Sequence, residues 1–168
     1  MGAWRNVRCA AAPVTRINST AADILQGLWM PASWFVANFG SPAILGVTLF
    51  FAFVDGQGEF TDTDRNGKLD LAQSIVLYNA GRLWSDNGPL GTIDFYSVIT
   101  HESGHAFGLG HFGKVFVTGK DRTDDGGITV DEVKYAPKSM MNAVYITGRN
   151  EITGTDNSSF CQLWANAK

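Results

Sequence analysis

Apolar residues along the chain form runs separated by glycine-rich and polar breaks, and these runs predict strands. The longest run, residues 44–54, reads ILGVTLFFAFV and is apolar on both alternating faces, which is typical of a strand covered on both sides. Residues 72–79 end in SIVLYN and predict a second strand. Residues 21–34 are compatible with a helix capped by Thr20, whose pattern Gly27 and Pro31 interrupt, or with a short strand over residues 22–26. Residues 113–138 carry no helical periodicity and are expected to form a long loop with one short strand.

Two segments carry a helical pattern. Asp94 is a suitable N-cap with Ser97 three positions later, and apolar residues then recur at three- and four-residue steps until Gly108 ends the pattern. A second helix is predicted near the C-terminus, with Thr155 or Asp156 as its N-cap.

The length and composition support one domain that spans residues 1–168. The chain has 168 residues, of which 45% are hydrophobic and 12% aromatic, which is enough to fill a single core. Its formal net charge of −3 provides no basic surface for nucleic acid, and no apolar run approaches the ~20 residues needed to cross a bilayer. We therefore expect no nucleic-acid partner and no membrane span, and we expect a monomer.

Both ends of the chain bear on its cellular compartment. Residues 1–17 lack the apolar stretch of a signal peptide, so either the protein is not exported or a leader was removed before this numbering begins. The two cysteines, Cys9 and Cys161, show no CxxC spacing and do not suggest a thiolate zinc site. They are expected to form a disulfide, which implies an oxidising compartment, or to remain two free thiols.

All three histidines of the chain lie within residues 101–111, which read HESGHAFGLGH. His101 and His105 are four positions apart, so on a helix they lie on one face and can reach a single tetrahedral ion. Gly108 lets the chain leave the helix sharply, and His111 can then supply a third ligand. The pattern predicts zinc bound by three histidines with one coordination position open, which is typical of a catalytic zinc.

Glu102 directly follows the first of these ligands, so its side chain emerges about 100° around the helix, beside the metal. There it is placed to take a proton from a water molecule on the zinc and to pass that proton to the leaving amine. An isolated HExxH is weak evidence, whereas the extended form HExxHxxGxxH is much more demanding. We therefore predict that Glu102 is a catalytic residue; the alternative is a solvated helix residue without such a role.

The segment HESGHAFGLGH resembles the zinc-binding signature of the metzincin metalloproteases. Ser139, Met140 and Met141, which follow about thirty positions later, look like the Met-turn of that family, in which a methionine forms an apolar floor beneath the metal. The resemblance assigns this role to Met141, with Met140 as the second choice.

Within the metzincins the chain is similar to the matrixins, the matrix metalloproteinase group, and especially to bacterial proteins of this type. Met141 and Tyr145 match the matrixin pattern after the Met-turn, and Ala143 stands where matrixins carry a proline that walls the main specificity pocket. The resemblance therefore implies that Tyr145 and Ala143 are substrate-pocket residues. It also implies a secreted, extracellular enzyme.

The same resemblance implies a fold of the α/β (α+β) class, in which residues 1–20 are too short for the first strand and the long first helix of a complete matrixin domain. The fold consists of a twisted, mostly parallel sheet over the active-site helix, a C-terminal helix, and an antiparallel edge strand that borders the cleft. Residues 44–54 are the candidate for this edge strand. Because an exposed strand edge pairs with an extended peptide through main-chain hydrogen bonds, the expected substrate is a protein or peptide in extended conformation.

Residues 62–70 read DTDRNGKLD and suggest a calcium site. Asp62, Asp64, Asn66 and Asp70 occupy positions 1, 3, 5 and 9 of the EF-hand calcium loop, with glycine at position 6. Position 12 is not a carboxylate and the flanking segments read as strands, so a solvated turn is the alternative.

These predictions combine into a zinc-dependent metalloendopeptidase that hydrolyses peptide bonds of extended protein substrates. The alternative is a catalytically impaired zinc-binding module of the same fold. A further rival is an aminopeptidase, which needs an acidic group to hold the amino terminus of its substrate.

Overall fold

The computed structural model describes residues 3–7, 23–63, 65, 67, 69–86, 89–112, 114–118, 123–124, 127–128, 132–136, 139–143, 145 and 151–164. In chain order the elements are a 3-10 helix Trp4–Asn6, strand β1 Ile24–Met30, helix α1 Ala32–Phe39, β2 Gly46–Ala52, β3 Leu71–Asn79, β4 Trp84–Ser85, β5 Ile93–Asp94, α2 Phe95–Ala106, β6 Lys114–Thr118, β7 Thr123–Asp124, β8 Gly127–Ile128, β9 Glu132–Ala136 and α3 Gly154–Trp164. Helices and small sheets both contribute, so the chain belongs to the mixed α/β class that the sequence predicts.

A three-stranded sheet in the order β1-β3-β2 is the largest sheet of the described residues. β1 runs parallel to β3, and β2 runs antiparallel to β3 at an edge of the sheet. Strands are therefore confirmed within residues 44–54 and 72–79, but the expected cover of the first strand on both faces is wrong, because Phe50 and Phe51 of this edge strand are 47% and 48% exposed. With one parallel and one antiparallel pair, this sheet is less parallel than expected.

Strand β1 decides the choice that the sequence leaves open for residues 22–26 in favour of a strand. The pairing of β1 with β3 shifts in register between Leu25 and Leu28, around Gly27, whose φ is +92°. A glycine with positive φ inside a strand is typical of a bulge, and the extra residue breaks the alternation of side chains. This irregularity explains why the apolar pattern alone was ambiguous here.

Helix α1 was not predicted, because Pro31 reads as an interruption of the pattern. Pro31 instead stands directly before the first helical residue, with extended backbone (ψ 154°). Proline is tolerated at the start of a helix, where a main-chain N–H would have no partner within the helix. The helix ends at Gly40, which is left-handed (φ 74°) and donates its amide to the carbonyl of Val36.

Helix α2 packs on the sheet and is the most enclosed element around the site. Seven of its 12 residues are buried. On the sheet side, Val98 and Ala106 form an apolar cluster with Val76 and Tyr78 of β3. This contact fixes the helix that carries the HExxH segment relative to β2 and β3.

A second apolar cluster covers the other side of α2 and attaches α3. Trp4 is completely buried, its ring stacks on Phe160 of α3 at 5.3 Å between centroids, and its indole N–H donates to the carbonyl of Thr100 at 2.8 Å. Met141 and Phe107 complete the contact between the two helices. Helix α2 is thus enclosed by the sheet on one side and by this cluster on the other.

Helix α3 confirms the predicted C-terminal helix but corrects its cap. The hydroxyl of Thr153 accepts the amide of Asp156 at 3.4 Å, and the carboxylate of Asp156 accepts the amide of Thr153 at 2.8 Å. This reciprocal pair is a capping box, so Thr153 is the N-cap, and the prediction of Thr155 or Asp156 is wrong.

The prediction of one short strand in residues 113–138 is also wrong. The described residues of this segment form two antiparallel pairs, β6 with β9 and β7 with β8. Strands β7 and β8 have two residues each, which is too short to show a strand pattern in the sequence.

Cys161 on α3 is disulfide-bonded. Cys9, the only other cysteine of the chain, lies outside the described residues, so the predicted pairing keeps the status of a prediction. Within the part of the chain that the structure describes, no helix has both the length and the apolar character needed to cross a bilayer.

Candidate metal centre

Helix α2 carries the first two histidines, and both of its ends are fixed. At the N-terminus the carboxylate of Asp94 accepts amide hydrogen bonds from the first turn, as predicted. At the C-terminus Gly108 adopts a φ of +88°, and the amide of Leu109 donates to the carbonyl of Gly104 at 3.0 Å. The left-handed residue turns the chain back, so His111 returns to the helix face that carries the other two rings.

The three histidine rings converge on one point. The Nε2 atom of His101 lies 3.1 Å from that of His105 and 3.1 Å from that of His111, and the two latter Nε2 atoms are 3.0 Å apart. Among the described residues these three side chains form a group close enough to bind one metal ion. The structure therefore brings together all three ligands that the sequence predicts.

Hydrogen bonds to the main chain fix the tautomer of two rings. Nδ1 of His101 lies 2.7 Å from the carbonyl oxygen of Met140, and Nδ1 of His105 lies 2.7 Å from that of Leu109. A carbonyl only accepts, so each Nδ1 carries the proton and each Nε2 carries a lone pair. Lone pairs this close repel one another unless a cation lies between them. Outer hydrogen bonds of this kind orient the histidine ligands of metal sites.

Burial keeps the three rings in the neutral form that binds metals. It lowers the pKa of His101 from 6.5 to about 4, although the hydrogen bond to Met140 acts in the opposite direction. Burial also lowers the pKa of His105 and of His111 below the ordinary value. Near pH 7 the rings are therefore available as ligands without first losing a proton.

The donor set fits a divalent cation that prefers nitrogen ligands. Zinc bonds histidine nitrogen at about 2.0–2.1 Å, and tetrahedral geometry then places two such nitrogens about 3.3 Å apart. The Nε2 separations of 3.0–3.1 Å differ from this value by a few tenths of an ångström. Imidazole also suits copper, iron and nickel, so the donor set limits the choice of metal without fixing it.

Glu102 lies between α2 and the edge strand β2 and is only 5% exposed. Its Oε2 accepts a hydrogen bond from the hydroxyl of Thr48 at 2.8 Å, and the same hydroxyl lies 3.0 Å from the main-chain carbonyl oxygen of Glu102. Gly46 stands two residues earlier on β2, where a Cβ atom would lie 3.0 Å from Oε1 of the glutamate. One carboxylate oxygen is thus held by Thr48, while Oε1 has no hydrogen-bond partner among the described residues.

The environment of Glu102 favours proton exchange near neutral pH. Burial raises the pKa of Glu102 from 4.5 to about 7, against the hydrogen bond from Thr48, which lowers it. A carboxyl group with a pKa near 7 can both accept and release a proton at that pH, as a general base and acid must. The side chain is buried, so Glu102 is not a solvated helix residue, and its catalytic role stays a prediction.

The three histidines and Glu102 line one cleft of about 800 Å³. Ser41, residues 43–48 and Phe50, which include most of β2, line it on one side. Arg82 and Ile93 line it near the start of α2, and Ser139, Met140 and Asn142 line it next to the histidines. A cleft of this size is typical of a site for a small molecule or a short peptide segment.

The two predicted pocket residues both line this cleft. Tyr145 packs against the apolar cluster between α2 and β3, and its hydroxyl oxygen accepts the amide of Asp94 at 2.7 Å. Ala143 is exposed. The contact between Tyr145 and Asp94 joins the segment after Met141 to the start of the active-site helix.

Met141 and Met140 have different environments. Met141 is fully buried and contacts Gly104, where an added Cβ would collide with the sulfur of Met141. Met141 therefore packs against the stretch of helix between the first two histidines. Met140 lines the cleft, and its carbonyl oxygen is the one that accepts the hydrogen bond from His101.

Asp156 of α3 holds the Met140–Met141 turn in place. Its carboxylate accepts the amides of Met140 at 2.8 Å and Met141 at 3.1 Å and the hydroxyl of Ser139 at 2.6 Å. Burial by itself would raise the pKa of Asp156, but the hydrogen bonds from Ser139, Thr153 and Met140 hold it below the ordinary value. The carbonyl of Met140 accepts from His101 and the amide of Met141 donates to Asp156, so the peptide unit between Met140 and Met141 connects Asp156 to the first histidine.

The predicted calcium loop is described only in part. Both hydroxyl and amide of Thr63 donate to Oδ2 of Asp70, at 2.6 and 2.9 Å, and Asp62 accepts an amide from the same loop at 2.9 Å. These contacts are typical of a polar turn. Asp64 and Asn66 lie outside the described residues, so the calcium site stays a prediction.

The roles of Thr48 and Gly46 beside Glu102, and of Asp156 at the Met140–Met141 turn, are not predicted from the sequence. Thr48 is the one hydroxyl in an apolar strand, and a buried hydroxyl requires a hydrogen-bond partner, so its position carried a signal. The spacing from Thr153 to Asp156 is that of a capping box and would have shown where α3 begins. Gly46 gave no signal, because the approach of a helix to a strand depends on the tertiary fold.

Comparisons with known proteins do not assign the chain to a family. A scan against models of protein families finds no match, and a search of curated proteins finds none either. The function is therefore inferred from the site itself.

Proposed function

We propose that the protein is a zinc-dependent metalloendopeptidase with the fold and site of a matrixin-like metzincin. The observation that carries the proposal is the convergence of three Nε2 atoms, each 3.0–3.1 Å from the others, in the same cleft as Glu102. A histidine triad with an adjacent buried carboxyl group fits metal-assisted hydrolysis better than a purely structural site.

The histidines His101, His105 and His111 would hold the metal. When bound, zinc supplies Lewis acidity that lowers the pKa of water and polarises a carbonyl group. The hydrogen bonds to the carbonyls of Met140 and Leu109 keep two of these rings oriented with Nε2 towards the centre of the cluster.

Glu102 acts as general base and then as general acid. It takes a proton from the attacking water molecule and later delivers that proton to the nitrogen of the cleaved peptide bond. One side chain therefore performs both proton transfers of the hydrolysis. Thr48 holds Oε2, which leaves Oε1 as the oxygen that accepts the proton. The pKa of about 7 suits both steps.

The substrate is a protein or peptide in extended conformation. Gly46, Thr48 and Phe50 of β2 line the cleft, and β2 lies at an edge of the sheet. An extended peptide can add to such an edge through main-chain hydrogen bonds, which require little of its sequence. Tyr145 and Ala143 then line the space for one of its side chains.

We also propose that the enzyme works outside the cytoplasm. The disulfide bond of Cys161 supports this location, because disulfides persist mainly in oxidising compartments.

Digestion of an unstructured protein by the purified, zinc-supplemented chain tests the proposal. We expect internal cleavage that stops with a chelator and returns with added zinc. The Glu102→Gln variant should lose activity by about 10²–10⁴-fold while still binding zinc. The matched control is Glu151→Gln, which changes an exposed glutamate outside the cleft and should leave the rate unchanged.

The digestion products separate the rival functions. Zinc binding without cleavage of any peptide bond would favour the binding module over the peptidase. Stepwise removal of residues from the substrate's amino terminus would favour the aminopeptidase.

A further inference from the structure

Arg82 is a charged residue of the cleft that the proposed hydrolysis does not use. It lies between β3 and β4 and lines the cleft. Its Nε is buried without a hydrogen-bond partner, and no ion pair joins its guanidinium group to any residue that the structure describes. A buried donor without a partner costs free energy in the folded protein, so a partner from outside the chain would remove that cost.

The main chain around Arg82 is fixed to two lining segments of the cleft. Its amide donates to the carbonyl of Asn79 at 3.3 Å, and the side-chain amide of Asn79 donates to the carbonyl of Ile44 at 2.8 Å. On the other side the amide of Ile93 donates to the carbonyl of Leu83 at 2.8 Å. Arg82 therefore lies at a defined position between Ile44 and Ile93.

This position is next to the pocket of Tyr145. The residue after Ile93 is Asp94, and its amide donates to the hydroxyl oxygen of Tyr145 at 2.7 Å. Tyr145 and Arg82 line the same cleft, and residues 93–94 connect them, so a substrate side chain beside Tyr145 shares that cleft with Arg82. The other nearby lining residues, Ile44 and Ile93, are apolar and offer the guanidinium group no counter-charge.

The chemistry of a guanidinium group selects its partner. Its planar fork of N–H donors matches a carboxylate and forms two parallel charge-assisted hydrogen bonds with it. Partial exclusion of water by apolar neighbours strengthens such a pair. Glu102 is not this partner, because its carboxylate accepts a hydrogen bond from the hydroxyl of Thr48 and forms no ion pair with Arg82.

We propose that Arg82 is a specificity-determining residue that binds a carboxylate of the peptide substrate. The inference rests on the proposed peptidase function. The carboxylate belongs either to an Asp or Glu side chain at one fixed position relative to the cleaved bond or to the C-terminus of the substrate.

The test uses matched peptides derived from a cut site in a digested protein. The peptides carry either Glu or Gln at each position in turn, and each is made with a free and with an amidated C-terminus. We expect kcat/KM to be about tenfold higher for one carboxylate-bearing member of a pair, since charge-assisted hydrogen bonds contribute on this scale. A difference between Glu and Gln identifies a side chain as the source, whereas a difference between acid and amide identifies the C-terminus.

Variants of Arg82 connect the preference to this residue. Arg82→Gln should abolish the preference for the carboxylate-bearing peptide, and Arg82→Lys should keep part of it. Arg82→Glu should instead prefer a peptide that carries Lys at the position of the carboxylate. The matched control is Arg65→Gln, which removes the same charge from an exposed arginine outside the cleft and should keep the preference. A reversal cannot result from loss of folding, because a misfolded enzyme prefers no peptide.

Binding provides a readout that does not depend on turnover. Calorimetry should compare the zinc-loaded Glu102→Gln protein with the double variant that also carries Arg82→Gln. The double variant should bind the preferred peptide about tenfold more weakly. Equal binding, or a preference that persists in Arg82→Gln, would overturn the role of Arg82 and leave the peptidase proposal standing. A failure of the peptidase proposal would instead appear as absence of cleavage by the unaltered protein.

Discussion

The hydroxyl oxygen of Thr48 lies 2.8 Å from Oε2 of Glu102, although the two residues are 54 positions apart in the chain. Thr48 belongs to β2, the edge strand proposed to bind substrate, and Glu102 belongs to α2, the helix that carries the first two histidines. The strand that would receive the peptide therefore also orients the proposed catalytic carboxyl group. Four predictions follow from this contact and from the buried carboxylate that holds the Met140–Met141 turn.

Removal of the Thr48 hydroxyl should slow the chemical step. Thr48→Val keeps the shape of the side chain but frees Oε2 of Glu102, and a misplaced catalytic group costs about 10–100-fold in kcat. KM and zinc content should stay unchanged. Thr48→Ser, which keeps the hydroxyl, is the matched control and should retain most of the activity. Equal kcat values for the valine and serine variants would show that the hydrogen bond does not position Glu102.

A side chain at residue 46 should displace the carboxyl group directly. The Cβ atom of Gly46→Ala would lie 3.0 Å from both Cγ and Oε1 of Glu102, which is closer than ordinary packing allows. We expect a loss of kcat with little loss of zinc, since the histidines do not contact this position. Gly56→Ala is a suitable control, because a Cβ atom there meets no atom within 4 Å. Unchanged kinetics of Gly46→Ala would mean that Glu102 can act from a different position.

Replacement of Asp156 should destabilise the fold. Asp156→Asn turns an amide group towards the main-chain amides of Met140 and Met141, which then lose a charged acceptor. We expect the free energy of unfolding to fall by roughly 2–4 kcal/mol, as measured by chemical denaturation. Asn157→Asp, an exposed position on the same helix, provides the control. A loss below about 0.5 kcal/mol, the scale of surface substitutions, would contradict the role of Asp156.

The contribution of Asp156 should depend on pH with a defined sign. Its pKa is lower in the folded protein than the ordinary value of 3.8, so the folded state binds fewer protons in this range and acid favours unfolding. The stabilising effect is complete above about pH 5 and is lost as the pH falls through the lowered pKa. His101, on the other side of the Met140 peptide, is the titratable group that faces Asp156. It is present in the unaltered protein and in the Asp156→Asn variant alike. The stability difference between the unaltered protein and Asp156→Asn should therefore shrink below about pH 4 in the presence of a chelator. A difference that is constant from pH 7 to pH 2 would contradict the lowered pKa.

The ligand triad could be predicted from the sequence because its geometry is local. His101 and His105 share a helix face through their spacing, and Gly108 marks the point where the chain turns back towards His111. The predicted cap at Asp94 is confirmed for the same reason, since a cap depends on neighbours within one turn.

The residues that hold the site in place are distant from it in the sequence. Thr48 meets Glu102 only because β2 pairs with β3 and α2 packs across both strands. Asp156 reaches Met140 through the packing of α3, which no periodicity indicates. Helix α1 was missed for a different reason, because Pro31 was read as a break when it starts the helix.

Metal analysis of the purified protein tests the central claim most directly. After zinc loading and dialysis, elemental analysis should give about one zinc per chain, and X-ray absorption should show three imidazole nitrogens at about 2.0–2.1 Å. His101→Ala, His105→Ala and His111→Ala should each lose most of the bound zinc, whereas Glu151→Gln should retain it. Retention of zinc by all three histidine variants, or no specific zinc in the unaltered protein, would contradict the metal centre and the peptidase function built on it.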